Sequence, residues 1–349
     1  NNNKTINGEN MKNLKKIGLS ALAGSLATLT SVNAGELSVN GTAAMTYVNT
    51  SGADDAADLG NPFGMEHVVT FSGSGELDNG MTVSLMFTPN VANTNSSTTG
   101  QSTSNITLDM GSMGVLEYQQ GTGNIGIARI DDVVPRAYEE ASDGVNDGSY
   151  YNGAEVDLGG NGFNYSIKPN DMIQLDLAYT RQNTDSLNNE GSTAGATANG
   201  LTTSGDSGQS AHVTVTPVDG LNLYAGIGED GKVDQTTFAA VYSYGPVSVG
   251  AQRSDREVAS SQRTAQVDDT EETYYSIAFA INENLSASVG RIDTDYDATG
   301  LTLDQEATGY GVTYSMGGMA VKAQRNNVDD VNGAESEHER NEVHVSFAF

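Results

Sequence analysis

Hydrophobic residues alternate with polar or small residues in short segments along most of the chain. In the segment 172–181, for example, Ile173, Leu175 and Leu177 share one face, and Asp176 must point to the other. A period of two over such lengths predicts β-strands with one apolar face. We recognise sixteen segments of this kind, at residues 36–49, 66–76, 81–88, 105–110, 114–120, 162–168, 172–181, 211–216, 221–227, 235–244, 247–253, 273–281, 285–293, 306–316, 319–326 and 342–349.

The connections between these segments alternate in length. They are short at 78–80, 111–113, 169–171, 217–220, 245–246, 282–284 and 317–318, and mostly long and polar between, as at 50–65, 89–104, 182–210 and 254–272. This alternation is typical of an up-and-down barrel, with turns at one end and loops at the other, and not of a Greek-key sandwich. An even number of strands also allows closure without an unpaired edge in lipid. The sequence therefore predicts an all-β fold, a 16-stranded antiparallel up-and-down transmembrane β-barrel over residues 35–349.

The longest connection, at about residues 121–161, follows the fifth predicted strand. It is too long and too mixed in charge for a simple exposed loop, so we predict that this third loop folds inward and narrows a pore. A strand over 150–158 would break the alternation of turns and loops, so these residues are assigned to the loop. The residues predicted to line the constriction are Arg129, Asp131, Asp132, Arg136, Glu139, Glu140 and Asp143.

Strand parity predicts which side chains face the interior of the barrel. A charge on the lipid face costs roughly 2–4 kcal/mol at the membrane midplane for basic residues and less for acids, so the register is well specified. Arg181, Arg291 and Arg325 have the apolar parity but lie near strand ends, where a long side chain reaches the interface. The wall residues predicted to face inward are Asp109, Glu117, Asp176, Lys322 and Gln324, together with Glu76 and His212.

The N-terminus carries an export signal. Met11 opens a basic stretch, an apolar run covers 17–29, and the small-residue end at 32–34 predicts cleavage after Ala34. The alternative, a membrane anchor, is disfavoured because the run is shorter than the about 20 residues that a spanning helix needs. We therefore assign residues 11–34 to a signal peptide and residues 1–10 to an upstream extension.

The charge balance excludes some classes of partner. The 349 residues include 16 Lys and Arg against 45 Asp and Glu, and the formal net charge of −29 argues against nucleic acid, whose phosphates need a basic surface. Acidic loops are candidates for Ca²⁺, and Asp293, Asp295 and Asp297 resemble the start of a calcium loop. However, Ala298 stands where that loop requires Gly, so a solvated acidic surface is the competing interpretation.

Sequence motifs for catalysis are weak. Residues 121–126 spell G-x-G-x-x-G, but the sequence around Pro135 leaves no room for the helix that a dinucleotide site needs. The four histidines are far apart without ligand spacing, and no Ser elbow or Cys nucleophile accompanies them. We predict no enzymatic activity and no cofactor apart from the candidate Ca²⁺.

The last predicted strand places Val343, Val345, Phe347 and the terminal Phe349 on one face. A terminal Phe on an alternating strand resembles the assembly signal of outer-membrane barrels. Together with the signal peptide, sixteen strands, alternating turns and long third loop, it makes the chain resemble a Gram-negative general porin of the α-proteobacterial type. The resemblance implies a homotrimer in outer-membrane lipid, inserted by the barrel assembly machinery. It also implies passive diffusion of small hydrophilic solutes and ions.

The same resemblance implies basic side chains on the wall opposite the acidic loop. Here the inward parity supplies chiefly Lys322, so the acids of the loop are expected to dominate the constriction. A ring rich in carboxylates concentrates cations within about 8 Å, the Debye length at physiological salt. We predict a cation-preferring pore; the alternative is that these charges pair with one another or are simply solvated.

Two other functions stay open at this level. A substrate-specific outer-membrane channel would use Tyr138, Tyr150 and Tyr151 of the long loop to stack on a sugar ring, although such tyrosines more often pack a loop against a wall. A secreted adhesin or surface-layer β protein would share the alternating strands without entering a membrane.

Overall fold

The computed structural model describes residues 33–34, 37–52, 61–89, 103–120, 124–143, 161–181, 196–198, 201–203, 207–230, 233–258, 269–297 and 303–349. Nearly all of them form strands. The strands are β1 (Asn33–Ala34), β2 (Ser38–Gly52), β3 (Phe63–Glu76), β4 (Thr82–Thr88), β5 (Thr103–Asp109), β6 (Val115–Gln120), β7 (Asn161–Asn170), β8 (Ile173–Arg181), β9 (Ala196–Ala198), β10 (Leu201–Thr203), β11 (Ser207–Val218), β12 (Leu221–Glu229), β13 (Val233–Tyr244), β14 (Val247–Val258), β15 (Asp269–Asn282), β16 (Leu285–Asp297), β17 (Gln305–Met316), β18 (Met319–Asp329) and β19 (Glu337–Ala348).

Sixteen of these strands, β2–β8 and β11–β19, close into one antiparallel barrel. Each strand pairs with its neighbour in sequence, and β8 pairs with β11 through Asp176 and His212. The ring closes where β19 pairs with β2, with Val345 opposite Met45. The predicted 16-stranded antiparallel up-and-down barrel is confirmed, and each of the sixteen predicted segments corresponds to one barrel strand. Outside the ring, β1 adds a short pairing to β3, and β9 pairs with β10.

The short connections lie where the sequence predicts them, because the turn residues can adopt the backbone angles that tight turns need. Gly80 has φ +83° and donates its N–H to the carbonyl oxygen of Leu77 at 2.9 Å. Gly245 and Gly317 have φ +56° and +60° in the turns that join β13 to β14 and β17 to β18. Positive φ is strained for residues with a Cβ, so glycine permits these two-residue connections.

The strands extend further at their loop ends than the pattern predicts. β14 continues to Val258 instead of ending at 253, and β19 begins at Glu337 instead of 342. In these extensions both faces carry polar side chains, so the alternation that marks a half-buried strand disappears. Pairing continues there regardless, because the backbone hydrogen bonds do not depend on the apolar pattern.

The two faces of the barrel differ in chemistry. On one face, large apolar side chains are exposed, including Ile227 at 62%, Phe238 at 56% and Tyr310 at 53%. The opposite parity, called here the polar face, carries hydroxyl, amide and charged groups, and Asp176 on it is completely buried. In the described residues, no helix is both long enough and apolar enough to cross a membrane.

The buried apolar residues gather on the polar face, where the segment between β6 and β7 packs against the barrel. One cluster joins Ile125, Ile127 and Ile130 of that segment to Ala178, Val233 and Val258 of the wall. A second cluster contains Val134, Ala141, Tyr274, Ile292, Ala307, Val328 and Val331. The strand residues of these clusters interrupt the polar parity of their strands because they cover the apolar side of the segment, whereas Val331 lies beyond the end of β18.

The predicted division of the N-terminus into an upstream extension and a signal peptide stays a prediction. Residues 1–32 lie outside the described residues, and so does most of the predicted signal peptide. The two residues of β1 at its end, Asn33 and Ala34, pair with Glu76 and Gly75 of β3.

Candidate functional site

The candidate site is the stretch of residues 124–143, which we call the β6–β7 segment. It begins with a short 3-10 helix over Gly126–Ile130 and continues without regular structure. A β-strand has free backbone hydrogen-bonding groups only at the edge of a sheet, and a closed barrel has no such edge for the segment to pair with. Its N–H and C=O groups are instead bound by side chains from the polar face of the wall.

The segment is fixed first at Gly126. The N–H of Gly126 donates to Oδ1 of Asn164 at 2.9 Å, and its carbonyl oxygen accepts from Nδ1 of His212 at 2.8 Å. The N–H of Ile127 donates to Oγ of Ser210 at 3.0 Å. Asn164 lies on β7, and Ser210 and His212 lie on β11. Ala178 on β8 also lies close to Gly126, so three wall strands surround this point.

Only glycine fits at position 126. Its φ is +55°, a region that residues with a Cβ rarely adopt. A Cβ there would collide with Oγ of Ser210 and would lie 2.5 Å from Cβ of Ala178. The backbone of the segment therefore approaches the wall more closely than any side chain would allow.

Arg129 joins the segment to two wall carboxylates. Its guanidinium lies 2.6 Å from Oε2 of Glu117 and 3.0 Å from Oδ1 of Asp176. Nε2 of His212 lies 3.3 Å from Oδ2 of Asp176, and this oxygen accepts a hydrogen bond from Nε2 of Gln174 at 2.7 Å. Asp176 is completely buried, and a buried charge requires such partners. The positive charge of Arg129 is therefore compensated inside this cluster.

The middle of the segment is bound by amide and hydroxyl side chains of successive strands. The N–H of Val133 donates to Oε1 of Gln252 on β14 at 3.0 Å. The N–H of Ala137 donates to Oγ of Ser288 on β16 at 2.8 Å, and its carbonyl oxygen accepts from Oγ1 of Thr313 on β17 at 2.6 Å. These side chains supply the hydrogen bonds that a neighbouring strand would otherwise provide.

Gln324 on β18 holds the next part of the segment with both ends of its amide. Its Oε1 accepts from the N–H of Glu139 at 2.8 Å, and its Nε2 donates to the carbonyl oxygen of Glu140 at 2.5 Å. Asn326 donates to the same carbonyl oxygen at 3.2 Å. Gln324, predicted as a pore-wall residue, thus contacts the segment directly.

Tyr138 packs the segment against β18 and β19. Its hydroxyl donates to Oε1 of Glu342 at 2.7 Å, its ring stacks on His344 at 5.7 Å between centroids, and Nζ of Lys322 lies 4.9 Å from the ring centroid. Burial and the hydrogen bond to Glu342 raise the pKa of Tyr138. The ring is therefore engaged by the wall, as the packing interpretation predicts. Tyr150 and Tyr151 lie outside the described residues.

The carboxylates of the segment are not equivalent. Asp132 pairs with Arg136, and Asp143 lies 2.6 Å from the guanidinium of Arg340. Burial, reinforced by Asp132, raises the pKa of Glu140 to about 8. Burial also raises the pKa values of Asp132 and Glu139.

Within the described part of the chain, Asp131 and Glu139 form no salt bridge. Both are only half-buried. Arg136 and Lys322 act on Glu139 without a direct ion pair, so neither Asp131 nor Glu139 is neutralised in a salt bridge.

The expectation that Lys322 is the main cation of the polar face is wrong. Arg340 shares that face, opposite Asn326, and also pairs with Glu342 at 2.6 Å. Arg256 shares it too, opposite Gln235 on β13. Both were missed because they lie in the strand extensions, beyond the predicted ends of β14 and β19. Longer predicted strands with the same parity would have found them.

Arginines of the other parity lie on the apolar face, as predicted for Arg291 and Arg325. Arg291 pairs with Glu306 at 2.8 Å, and Arg325 pairs with Glu339 at 2.8 Å. Arg253, on the same face, pairs with Glu271. Each bridge joins two strands that a loop connects, so the charges sit at the loop end of the barrel.

The remaining predicted residues lie away from the segment. Oδ1 of Asp109 accepts from the N–H of Gly111 at 2.8 Å and so stabilises the turn to β6. Phe349 exchanges two backbone hydrogen bonds with Gly41, of 2.8 and 3.0 Å, and so extends the pairing of β19 with β2.

The candidate calcium residues do not converge on one point. Asp293, Asp295 and Asp297 share the apolar face of β16, and Asp293 accepts from Nε of Arg291 at 2.7 Å. Among the residues that the structure describes, no group of three acids or histidines is arranged to hold a metal ion.

Comparison with known proteins identifies the architecture. No family model matches the chain, and no curated protein matches it either. Among solved structures, OmpF of Salmonella typhi aligns with a TM-score of 0.64 and 12% identity, over 90% of this chain and 98% of OmpF. An anion-selective porin from Comamonas acidovorans aligns with a TM-score of 0.62 and 13% identity, over 90% of this chain and 99% of that porin.

The chain has the fold of the general porins. A mutant of the Rh. blastica porin also aligns, with a TM-score of 0.55 and 16% identity, over 90% of this chain and all of the porin chain. The alignments cover between 98% and 100% of these porin chains. At such identities the likeness concerns the fold, and the chemistry must be argued from the residues of this chain.

Proposed function

We propose that this chain is an outer-membrane channel through which small hydrophilic solutes and ions diffuse passively, with a preference for cations. The porin fold supports the general function. The cation preference rests on the distribution of charge in and around the β6–β7 segment.

The exposed apolar face supports insertion in lipid. Phe238, Tyr242, Ile277 and Tyr310 belong to a band of exposed apolar side chains that runs around the described strands. In water such a band would drive aggregation, whereas an apolar outer belt with aromatic residues is typical of outer-membrane barrels. A secreted or surface-layer β protein is less compatible with this band. Export by a signal peptide, insertion by the assembly machinery and a homotrimeric state belong to the same proposal.

We infer that the polar face encloses the lumen. The β6–β7 segment contacts that face on β7, β8, β11, β14 and β16–β19, and its apolar clusters include residues of β13 and β15. A segment inside the barrel can reach all these strands while the apolar face stays free for lipid. The open passage would then lie between the segment and the strands that it does not contact, chiefly β2–β5.

The observation that carries the cation preference is that, among the described residues in and around the segment, acids without a salt bridge outnumber cations without one. Arg129, Arg136 and Arg340 all pair with carboxylates, whereas Lys322 lies over the Tyr138 ring and forms no salt bridge within the described residues. The half-buried Asp131 and Glu139 have no such partner in the described residues. An excess of uncompensated negative charge in a narrow passage attracts cations and repels anions.

The proposal is tested by the reversal potential of single channels in a planar bilayer under a KCl gradient. Wild type should prefer K⁺, and Asp131→Asn with Glu139→Gln should reduce that preference. Asp78→Asn with Glu283→Gln, which removes the same charge from exposed turns, should change it little. An anion-selective wild-type channel would refute the cation preference, and a protein that conducts no ions would refute the channel itself.

A further inference from the structure

We propose that the passage favours hydrogen-bonding solutes without negative charge, and in particular amino sugars over sugar acids of the same size. This inference rests on the proposed channel function and concerns the wall that the β6–β7 segment leaves uncovered.

That wall contains no cation at all. The sequence carries no lysine or arginine between Lys16 and Arg129, a stretch that includes all of β2–β6. The acidic segment therefore faces a wall that cannot form a counter-charge, whatever the conformation of the connecting loops. This departs from the basic wall that the resemblance to general porins implies.

The polar face of this wall consists largely of hydroxyl and amide groups. Its charged positions are acids, such as Glu66 on β3. The serine, threonine and asparagine residues with polar parity in β2–β5 are Ser38, Asn40, Thr42, Thr46, Thr50, Thr70, Ser72, Ser74, Thr82, Ser84, Thr88, Thr103, Asn105 and Thr107.

Strand register places part of this surface beside the segment. At one edge, Thr46 of β2 is paired with His344, which stacks on Tyr138 of the segment. At the other edge, Asn105 of β5 donates to Oε1 of Glu117, the partner of Arg129. On the strands between β2 and β5, Thr70 of β3 lies opposite Asn40 of β2 and is joined through its hydroxyl to that of Thr88 of β4 at 3.0 Å. We call Thr46, Thr70, Thr88 and Asn105 the hydroxyl bank.

The chemistry of the hydroxyl bank suits a polyol. A threonine hydroxyl both donates and accepts, and an asparagine amide does the same with two separate groups. These groups replace the water that a sugar loses when it enters a narrow passage, because the sugar hydroxyls also donate and accept. A carboxylate on the sugar finds no cation on this bank and is repelled by Asp131 and Glu139. An ammonium group is attracted by the same two acids.

The test compares three sugars of one ring size: glucose, glucosamine and glucuronate. Proteoliposomes containing the purified protein are exposed to all three together in excess KCl, and the sugars taken up are measured by mass spectrometry. We expect glucosamine to enter at least as fast as glucose and glucuronate to enter several-fold more slowly. Equal uptake of the three sugars by a protein that conducts K⁺ would overturn this inference and leave the channel proposal intact.

Variants of the bank make the test specific. Thr70→Arg should raise glucuronate uptake relative to glucose several-fold and lower that of glucosamine, whereas the uncharged Thr70→Gln of similar length should leave both ratios near wild type. Thr88→Arg and Thr88→Gln form a second pair if the first does not fold. Indistinguishable ratios in the Arg and Gln variants would overturn the role of the bank. If the wild-type protein does not conduct K⁺ at all, both this inference and the channel proposal are overturned.

Discussion

Replacement of Gly126 by alanine should release the β6–β7 segment from the wall. The alanine would carry a Cβ at φ +55°, which costs about 1–2 kcal/mol. It would also press that Cβ against Oγ of Ser210 and Cβ of Ala178, and such overpacking costs about 1–3 kcal/mol. The sum of about 2–5 kcal/mol should reduce the free energy with which the segment docks on the wall, because the strand pairings of the barrel do not involve residue 126.

Limited proteolysis measures this docking. Trypsin cleaves after Arg129 and Arg136, which the docked segment holds in ion pairs. When opening is fast relative to cleavage, the cleavage rate follows the population of the open form. A loss of about 2–5 kcal/mol raises that population roughly 30-fold to several thousand-fold, since about 1.4 kcal/mol is tenfold. Cleavage at these two sites is identified by mass spectrometry on the folded barrel.

Gly245→Ala is the matched control. Gly245 has φ +56°, almost the angle of Gly126, but no atom lies within 4 Å of the position that its Cβ would occupy. This variant therefore carries the backbone strain without the collision and without a link to the segment. If Gly126→Ala is cleaved at Arg129 and Arg136 no faster than Gly245→Ala, then close approach at Gly126 does not hold the segment in place.

Two further perturbations test the charges of the segment. Arg129→Gln leaves the buried Asp176 without its guanidinium partner and should lower the free energy of urea unfolding by about 3–5 kcal/mol. Arg325→Gln removes one partner of an exposed ion pair and should lower it by less than about 1 kcal/mol. Equal losses in the two variants would contradict the role of Arg129 as the partner of a buried charge. Burial raises the pKa of Glu140 from its ordinary 4.5 to about 8, so the docked segment binds that proton more tightly than a released one. Docking should therefore weaken as the pH rises from about 5 to about 8 and then level off. Channel current noise should rise over this range, and Glu140→Gln should show no such rise; an unchanged pH dependence in that variant would exclude Glu140 as its source.

The barrel could be predicted because each of its determinants is local. Alternation over a few residues marks each strand, and a turn such as 78–80 marks a connection without reference to the rest of the chain. The same locality explains the errors at strand ends. Around Arg340 both faces are polar, with Glu339 and Asn341 on one side and Glu342 on the other, so no local signal shows that pairing continues.

The site was less predictable because its contacts are distant in sequence. His212 binds Gly126 across 86 positions, and Tyr138 binds Glu342 across 204 positions. No pattern within the loop shows which of its acids gains a partner. One signal was available: Ile292 and Val328 are apolar residues at polar parity, and both lie in the cluster that packs against the segment. Such interruptions of the parity indicate where a wall is covered.

The dependence of the segment on late strands has a consequence for biogenesis. Its partners Gln252, Ser288, Gln324 and Glu342 all follow it in the chain, and the last of them lies in the strand that closes the ring. The segment therefore cannot complete its contacts until β19 lies beside β18. A partly assembled barrel would therefore hold residues 124–143 by only some of these contacts, and their full docking depends on the last strand of the chain.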